Sequence, residues 1–181
     1  ILLHGGMGDL GSWPHQIRVL SANHRVIAYS RRHSHPNRNT GVERTLFADC
    51  VEDDIDDLLA LKGALQVGPA HLVGSSYGGL LALAAALRAP DQVASLVLAE
   101  PPLHRWACAT EAGALLCRAF VAGVWRAAAE AFGLGQQRRA MQLLTDGMWG
   151  RPVFESWPND RIDAVMHNAA AMHALTRSHD P

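Results

Sequence analysis

The sequence predicts an α/β fold in which a parallel, doubly wound sheet carries helices on both faces and is followed by a helical cap. Two observations carry this prediction. Short apolar runs alternate with helical segments as far as residue 102, which is typical of parallel strands joined by helical crossovers. After residue 102 the strand patterns stop and alanine-rich helical segments follow. We therefore expect a partial sheet core over residues 1–103 and a helical cap region over residues 104–181.

Each element follows from hydrophobic periodicity or from the residues that bound it. The predicted elements are a strand ending at Leu3, a helix over 13–20, a strand over 25–30, a helix over 43–65, a strand over 70–73, a helix over 80–88, a strand over 93–99, and cap helices near 108–132, 136–148 and 160–176. The nearly all-apolar helix over 80–88 is expected to lie between two layers. The polar loop over 31–41 and the acidic residues between 52 and 57 are expected to be solvated.

Charge and composition exclude several classes of function. A formal net charge of −1 leaves no basic excess for a phosphate backbone, so no nucleic-acid partner is predicted. The three cysteines form no C-x-x-C pair, and no calcium-loop or zinc-ligand pattern is present, so neither disulfides nor a metal or cofactor are predicted. No run reaches the roughly 18 consecutive apolar residues that span a bilayer. We expect no membrane partner and a cytoplasmic location.

The pentapeptide Gly74-Ser75-Ser76-Tyr77-Gly78 is a G-x-S-x-G motif between a predicted strand and a predicted helix. A serine on so sharp a turn adopts a strained backbone conformation, which glycines two positions before and after it make sterically possible. The turn places the hydroxyl near a helix N-terminus, where backbone N–H groups favour developing negative charge. The alternative is a glycine-rich turn that only starts a helix. The motif in this context predicts that Ser76 is a catalytic nucleophile.

His4-Gly5-Gly6 is a second glycine-rich segment, directly after a predicted strand. Acyl transfer requires two N–H donors for the oxyanion, and one of them must come from a loop beside the nucleophile. Glycines leave the backbone of such a loop open to the substrate. We therefore expect a backbone amide of this loop to face the Ser76 hydroxyl.

Four segments, in their order along the chain, resemble the α/β-hydrolase family in its serine-nucleophile branch. They are Leu-Leu-His-Gly-Gly, Val-Ile-Ala-Tyr-Ser, Gly-Ser-Ser-Tyr-Gly-Gly and Leu-Val-Leu-Ala-Glu-Pro-Pro. The resemblance is close over residues 1–103 and loose over the helical remainder. It implies that Ser76 is the nucleophile and that the amides of Gly6 and Tyr77 form the oxyanion hole, with Met7 as a further oxyanion-hole or binding residue. It also implies that Gly74, Gly78 and Gly79 shape the turn and that His4 and Gly5 are structural residues of the oxyanion loop.

The same resemblance implies that the chain begins inside the family's third strand and stops after the sixth strand and the cap. The histidine base and the definitive acid are therefore expected beyond residue 181, and three late histidines, His167, His173 and His179, are not favoured as the base. Glu100 follows the strand next to the Ser76 strand and is the candidate acid within the chain, since some family members place their acid there. Its alternative role is to accept backbone hydrogen bonds at the hinge before the cap.

These observations predict a serine hydrolase that acts on an ester, lactone or related small acyl substrate through an acyl-enzyme on Ser76. Serine at this position disfavours the epoxide-hydrolase and dehalogenase branches, which by the resemblance need aspartate there. The alternatives are a non-catalytic ligand-binding protein on the same fold and a carbon–carbon bond hydrolase. Oligomeric state is left open.

Two expectations concern the chain as a whole. Its four strands are expected in the spatial order of the segments near residues 29, 1, 72 and 96. With open sheet edges and no base for Ser76, the isolated chain is expected to be poorly soluble and inactive. Its full-length parent is expected to hydrolyse short acyl esters.

Overall fold

The computed structural model describes residues 1–37 and 50–178, and these residues form two compact units. The first unit contains residues 1–37 and 50–102, and the second contains residues 103–178. Every strand of the described residues lies in the first unit, whereas the second unit is helical. The alternating and the all-helical parts of the sequence therefore fold as different kinds of structure.

The first unit alternates strands and helices, as the sequence predicts. Its elements are β1 (Leu2–Leu3), a 3₁₀ turn (Leu10–Ser12), α1 (Pro14–Leu20), α2 (Cys50–Ala64), β2 (Ala70–Ser75), α3 (Tyr77–Arg88), a second 3₁₀ turn (Pro90–Gln92) and β3 (Val93–Ala99). Pro14 occupies the first position of α1, where its missing N–H leaves no hydrogen bond unmade. The part of the predicted 43–65 helix that precedes Cys50 lies outside the described residues, as do residues 38–41 of the predicted loop.

The three strands form one parallel sheet in the order β1–β2–β3. β2 pairs with β3 along its whole length, from Ala70 opposite Val93 to Ser75 opposite Ala99, with one irregularity after Ala70. A parallel sheet of this kind places the carboxyl ends of its strands at one edge, which is where ligands bind in open α/β folds.

The predicted strand over 25–30 is reduced to a single parallel bridge between Ala28 and Leu2. The Leu2 N–H donates to Ile27 O at 2.8 Å. Because β1 is only two residues long, it offers no longer ladder on this side. The predicted spatial order of the four segments is confirmed, but the prediction of four regular strands is wrong.

The core of the first unit lies among β1, β2, α2 and α3. Its buried apolar side chains are Leu3, Ile55, Leu58, Ala70, Leu72, Leu81, Ala82 and Ala85. On the other side of α3, Leu87 is 78% exposed. The expectation that this helix lies between two layers is therefore wrong, because only the face that carries Leu81 and Ala85 is covered.

The second unit consists, among its described residues, of helices joined by short turns. They are α4 (His104–Ala107), α5 (Glu111–Phe120), a π-helical turn (Val121–Trp125), α6 (Arg126–Gly133), α7 (Gln137–Trp149), a 3₁₀ turn (Phe154–Ser156), α8 (Asn159–Met166) and α9 (Ala169–Ser178). Its fully buried large side chains include Met141, Leu144, Phe154 and Met172. The predicted helices are confirmed, with the last of them divided into α8 and α9.

The most apolar 18-residue stretch of the continuous helix Glu111–Gly133 has a mean hydropathy of 1.3, and 6% of this stretch is buried. By length and composition it could cross a membrane, and a core helix of a soluble protein meets the same criteria. The expectation that the protein has no membrane partner therefore stays a prediction.

Candidate functional site

The loops that carry the candidate residues leave the same edge of the sheet. Because the three strands are parallel, their carboxyl ends meet at this edge. His4 follows β1, Ser76 follows β2 and Glu100 follows β3. The Ser76 N–H donates to Ala99 O at 2.7 Å, so the turn after β2 is bonded directly to the end of β3.

Ser76 forms the turn between β2 and α3 with φ 51° and ψ −123°. Residues other than glycine rarely adopt a positive φ, and such strain concentrates at functional sites. Ser76 O accepts hydrogen bonds from the Gly79 N–H at 2.8 Å and the Leu80 N–H at 3.1 Å, so the helix begins at the serine. The strand–turn–helix context predicted for the G-x-S-x-G motif is confirmed.

Gly74 and Gly78 permit this turn because backbone atoms lie where their side chains would be. A Cβ on Gly74 would overlap the Gly78 carbonyl. A Cβ on Gly78 would lie 2.6 Å from His4 O and closer still to Leu3 O. Gly79 is less constrained, since its Cβ would lie 3.3 Å from its nearest neighbours. The end of β1 therefore lies against the start of α3 at a distance that only glycine allows.

The loop after β1 lies beside the candidate nucleophile. A Cβ on Gly5 would lie 3.4 Å from Ser76 Cβ and 3.9 Å from Ser76 Oγ. Gly6 and Met7 follow in a half-buried turn, which the Gly8 N–H closes by donating to Gly5 O at 3.1 Å. The structure thus brings the predicted oxyanion loop to the serine. That the two predicted donor amides converge on one oxyanion stays a prediction.

His4 is fully buried, and both of its ring nitrogens are engaged. Nε2 accepts the Arg31 backbone N–H at 3.1 Å, and Nδ1 lies 2.8 Å from Gly5 O. Since Nε2 is an acceptor, we assign the ring proton to Nδ1, which donates to Gly5 O. Burial, and then the Arg31 guanidinium, lower the pKa of His4 to about 4. A neutral ring with both nitrogens occupied is suited to a structural role and not to that of a base.

The expectation of a solvated loop and a solvated acidic helix face is wrong at Arg31 and Asp54. Their side chains are 4% and 5% exposed, and Arg31 Nη1 donates to Asp54 Oδ2 at 3.2 Å. Burial raises the pKa of Asp54, and Arg31 and the Tyr77 hydroxyl oppose that rise. A signal was present in the sequence: Asp54 lies three residues after Val51 and four before Leu58, on the apolar stripe of α2.

Glu100 directly follows β3, with φ 52° and an exposed side chain. It is the residue after Ala99, whose carbonyl accepts the Ser76 N–H. The structure therefore places Glu100 next to the turn that holds the candidate nucleophile. Its role as an acid stays a prediction.

The late histidines lie in the second unit or outside the described residues. His167 follows α8, and His173 of α9 stacks on Phe132 with ring centroids 5.0 Å apart. His179 lies outside the described residues. Within residues 1–37 and 50–178, no group of three or more His, Cys, Asp or Glu side chains is arranged to hold a metal ion.

Comparison with known proteins gives family and relatives. A family model of the alpha/beta hydrolase fold matches residues 1–161. The putative carbamate hydrolase RutD of Pantoea ananatis (strain LMG 20103) is 35% identical over 101 residues, which cover 54% of this chain and 34% of that protein. The uncharacterized hydrolase YraK of Bacillus subtilis (strain 168) is 34% identical over 104 residues, which cover 57% of this chain and 37% of that protein. The chain spans about a third of the length of these curated relatives.

Solved structures share the fold. One described as novel epoxide hydrolases from metagenomes of hot environments has a TM-score of 0.69 at 20% identity, covering 99% of this chain and 63% of that chain. MGS-M2, an alpha/beta hydrolase from a Medee basin deep-sea metagenome library, has a TM-score of 0.66 at 19% identity. The match covers 99% of this chain and 62% of that chain. At this level of identity the likeness establishes the fold alone.

Proposed function

Because this chain belongs to the alpha/beta hydrolase family, we propose that the protein is a serine hydrolase acting on an ester, lactone or related acyl substrate. The observation that carries the proposal is Ser76, held at φ 51° at the start of α3 with Gly5 of the neighbouring loop beside its hydroxyl. A ligand pocket without chemistry has no need of a strained serine enclosed by two glycine-rich segments. The enclosed serine therefore favours catalysis over the ligand-binding alternative.

In the proposed reaction, Ser76 Oγ attacks the carbonyl carbon of the substrate and forms a tetrahedral intermediate. The N–H groups of Gly6 and Tyr77 donate to the oxyanion, and the N-terminus of α3 adds a favourable dipole. A histidine base, which the family resemblance requires, takes the serine proton and passes it to the leaving group, with Glu100 as its acid partner. Water then attacks the acyl-enzyme and releases the acid.

Carbamates belong among the substrates to test, because the Pantoea ananatis relative is named a putative carbamate hydrolase. A carbamate carbonyl passes through the same kind of tetrahedral oxyanion as an ester, so the same serine and donors would serve both. Serine at position 76 disfavours an epoxide substrate, since the family resemblance requires aspartate for that chemistry. We propose short acyl esters as the first class of substrate to test and carbamates as the second.

The test combines fluorophosphonate labelling with hydrolysis of p-nitrophenyl acetate by the full-length protein. Ser76→Ala should abolish labelling and lower the rate by about 10⁴- to 10⁶-fold, because it removes the nucleophile. Ser75→Ala, at the last residue of β2, is the matched control and should keep both. Glu100→Gln should lower the rate by about 10⁴-fold if Glu100 orients the base.

The outcomes separate the candidate functions. More than a tenth of the activity remaining in Ser76→Ala contradicts the nucleophile assignment. Wild-type protein that binds acyl compounds but shows neither labelling nor turnover supports the ligand-binding alternative. Labelling at Ser76 without hydrolysis of esters or carbamates leaves the carbon–carbon bond hydrolase as the better assignment.

A further inference from the structure

One buried arginine contacts both segments of the proposed oxyanion hole. The Arg31 side chain is 4% exposed and follows the segment that bridges to β1. Arg31 Nη2 donates to Gly5 O at 3.1 Å, and Arg31 Cζ lies 4.5 Å from the centre of the Tyr77 ring. The guanidinium therefore touches the loop after β1 and the residue after Ser76 at the same time.

The contact with Gly5 sets the direction of the Gly6 N–H, because both groups belong to one peptide unit. A trans peptide unit is planar, and its C=O and N–H point in opposite directions. Gly5 O receives the Arg31 side chain, the Gly8 N–H at 3.1 Å and the His4 Nδ1–H at 2.8 Å. The donors around the Gly5 carbonyl therefore fix the orientation of this peptide unit, and the Gly6 N–H points away from them.

The second contact holds Tyr77. Its ring faces the Arg31 guanidinium in a cation–π arrangement, and its hydroxyl acts on Asp54 by opposing the rise in the pKa of that carboxyl. Asp54 also accepts from Arg31 Nη1 at 3.2 Å. The Arg31 guanidinium thus holds the ring of Tyr77, and the backbone N–H of the same residue is the second proposed donor.

We propose that the buried Arg31–Asp54 pair positions the two donors of the oxyanion hole, an inference that rests on the proposed function of Ser76. Neither residue acts on the substrate, so both are positioning residues. A buried ion pair is a poor stabiliser compared with apolar side chains of similar volume, because both charges lose their hydration. What the pair supplies is a planar, charged fork that holds Gly5 O and the Tyr77 ring in one fixed relation.

The adjacent Arg32 provides a matched control because it also joins its loop to α2. Arg32 Nε lies 2.8 Å from Asp57 Oδ2, and Arg32 Nη1 lies 3.3 Å from Asp53 Oδ2. Its side chain is 34% exposed. These contacts go to the helix and not to the loop after β1 or to Tyr77. Loss of the Arg32 side chain therefore removes arginine–carboxylate contacts between the same loop and the same helix, without the proposed positioning effect.

The test is steady-state hydrolysis of p-nitrophenyl acetate by the full-length protein, with thermal unfolding as the measure of folding. The double variant Arg31→Met/Asp54→Leu removes both charges and leaves neither buried without a partner. We expect kcat to fall about 10- to 100-fold because the donors are misplaced. KM should change by less than about threefold, since the oxyanion forms only after binding. Arg32→Gln should keep kcat within about twofold.

Arg31→Lys carries the test if the double variant does not fold. Lysine keeps a charge opposite Asp54 but lacks the fork that reaches Gly5 O and the tyrosine ring together. A folded variant of either kind with wild-type kcat overturns the positioning role, and so does an equal loss of kcat in Arg32→Gln.

Ser76→Ala in the same assay tests the proposed function separately. Activity that survives the loss of Ser76 overturns the nucleophile assignment. Loss of activity in Ser76→Ala together with wild-type kcat in the Arg31 variants overturns only the positioning role. Loss in both, with Arg32→Gln active, supports both assignments.

Discussion

Two neighbouring strands are each followed by a non-glycine residue with a positive φ, and the chain takes a different course after each of them. β2 passes into Ser76 with φ 51°, and β3 passes into Glu100 with φ 52°. Ser76 leads directly into α3, and its carbonyl accepts the first hydrogen bonds of that helix. Glu100 leads instead into two prolines, which cannot donate backbone hydrogen bonds.

The surroundings of these two residues differ more than their dihedral angles do. Ser76 has Gly5 beside its side chain, and the helix that it starts lies against β1 at Gly78. Glu100 is exposed, and so is most of the strand before it, with Val97 at 56%. Strain persists where the surrounding structure fixes it. A positive φ therefore does not identify a site by itself, and the contacts that enclose it carry the functional argument.

The largest effect is expected from a substitution that opens the enclosed turn. Gly78→Ala would place a Cβ 2.6 Å from His4 O and closer to Leu3 O, so β1 and α3 would have to separate. We expect the free energy of unfolding to fall by about 3 kcal/mol or more, as measured by urea unfolding of the purified protein.

Gly63→Ala is the control for this substitution. A Cβ on Gly63, within α2, meets nothing within 4 Å. Alanine there should leave the free energy of unfolding unchanged or raise it by about 0.5–1 kcal/mol. Equal stability of Gly78→Ala and wild type would contradict the close contact between β1 and α3.

The turn at Ser76 could be predicted from the sequence because its causes are local. Gly74 and Gly78 lie within a few residues of the serine, and their spacing already encodes the steric requirement that the structure shows. The strands over 70–73 and 93–99 were predictable for the same reason, since each is a short apolar run with clear boundaries.

The Arg31–Asp54 pair could not be predicted as a pair because its partners meet only in the folded chain. Twenty-three residues separate them, and nothing local to either one specifies the other. A polar loop and an acidic run are usually solvated, and Arg32 and Asp57 nearby follow that rule more closely. The segment over 25–30 failed differently: its own residues favour a strand, but the length of its ladder depends on a two-residue partner.

The second effect concerns His4, whose buried ring supports the loop next to Ser76. Its pKa is lowered to about 4, chiefly by burial, whereas an unfolded histidine titrates near pH 6.5. Between these values the unfolded chain binds a proton that the folded chain does not. Stability from this group is therefore complete above pH 6.5 and is lost as the pH falls toward 4. The loss should amount to roughly 2–3 kcal/mol.

This loss of stability can be measured by guanidinium unfolding of the wild type and of His4→Gln at several pH values between 7 and 4. Glutamine can also donate to Gly5 O and accept the Arg31 N–H, but it does not titrate. We expect His4→Gln to be less stable than wild type at pH 7, and the difference to narrow on acidification. Parallel stability curves for the two proteins would contradict the buried neutral histidine.

The smallest effect is expected at the exposed turn. A left-handed backbone conformation costs a non-glycine residue about 1–2 kcal/mol of stability. Glycine avoids this cost but lowers the stability by about 0.4–1 kcal/mol, because it gives the unfolded chain more conformational freedom. Glu100→Gly should therefore raise the free energy of unfolding by up to about 1 kcal/mol, as measured by urea unfolding. Glu100→Gln keeps the side-chain length and the backbone strain and should stay within about 0.5 kcal/mol of wild type. A glycine variant less stable than the glutamine variant would show that contacts of the Glu100 side chain hold this turn, and the contrast with Ser76 would then disappear.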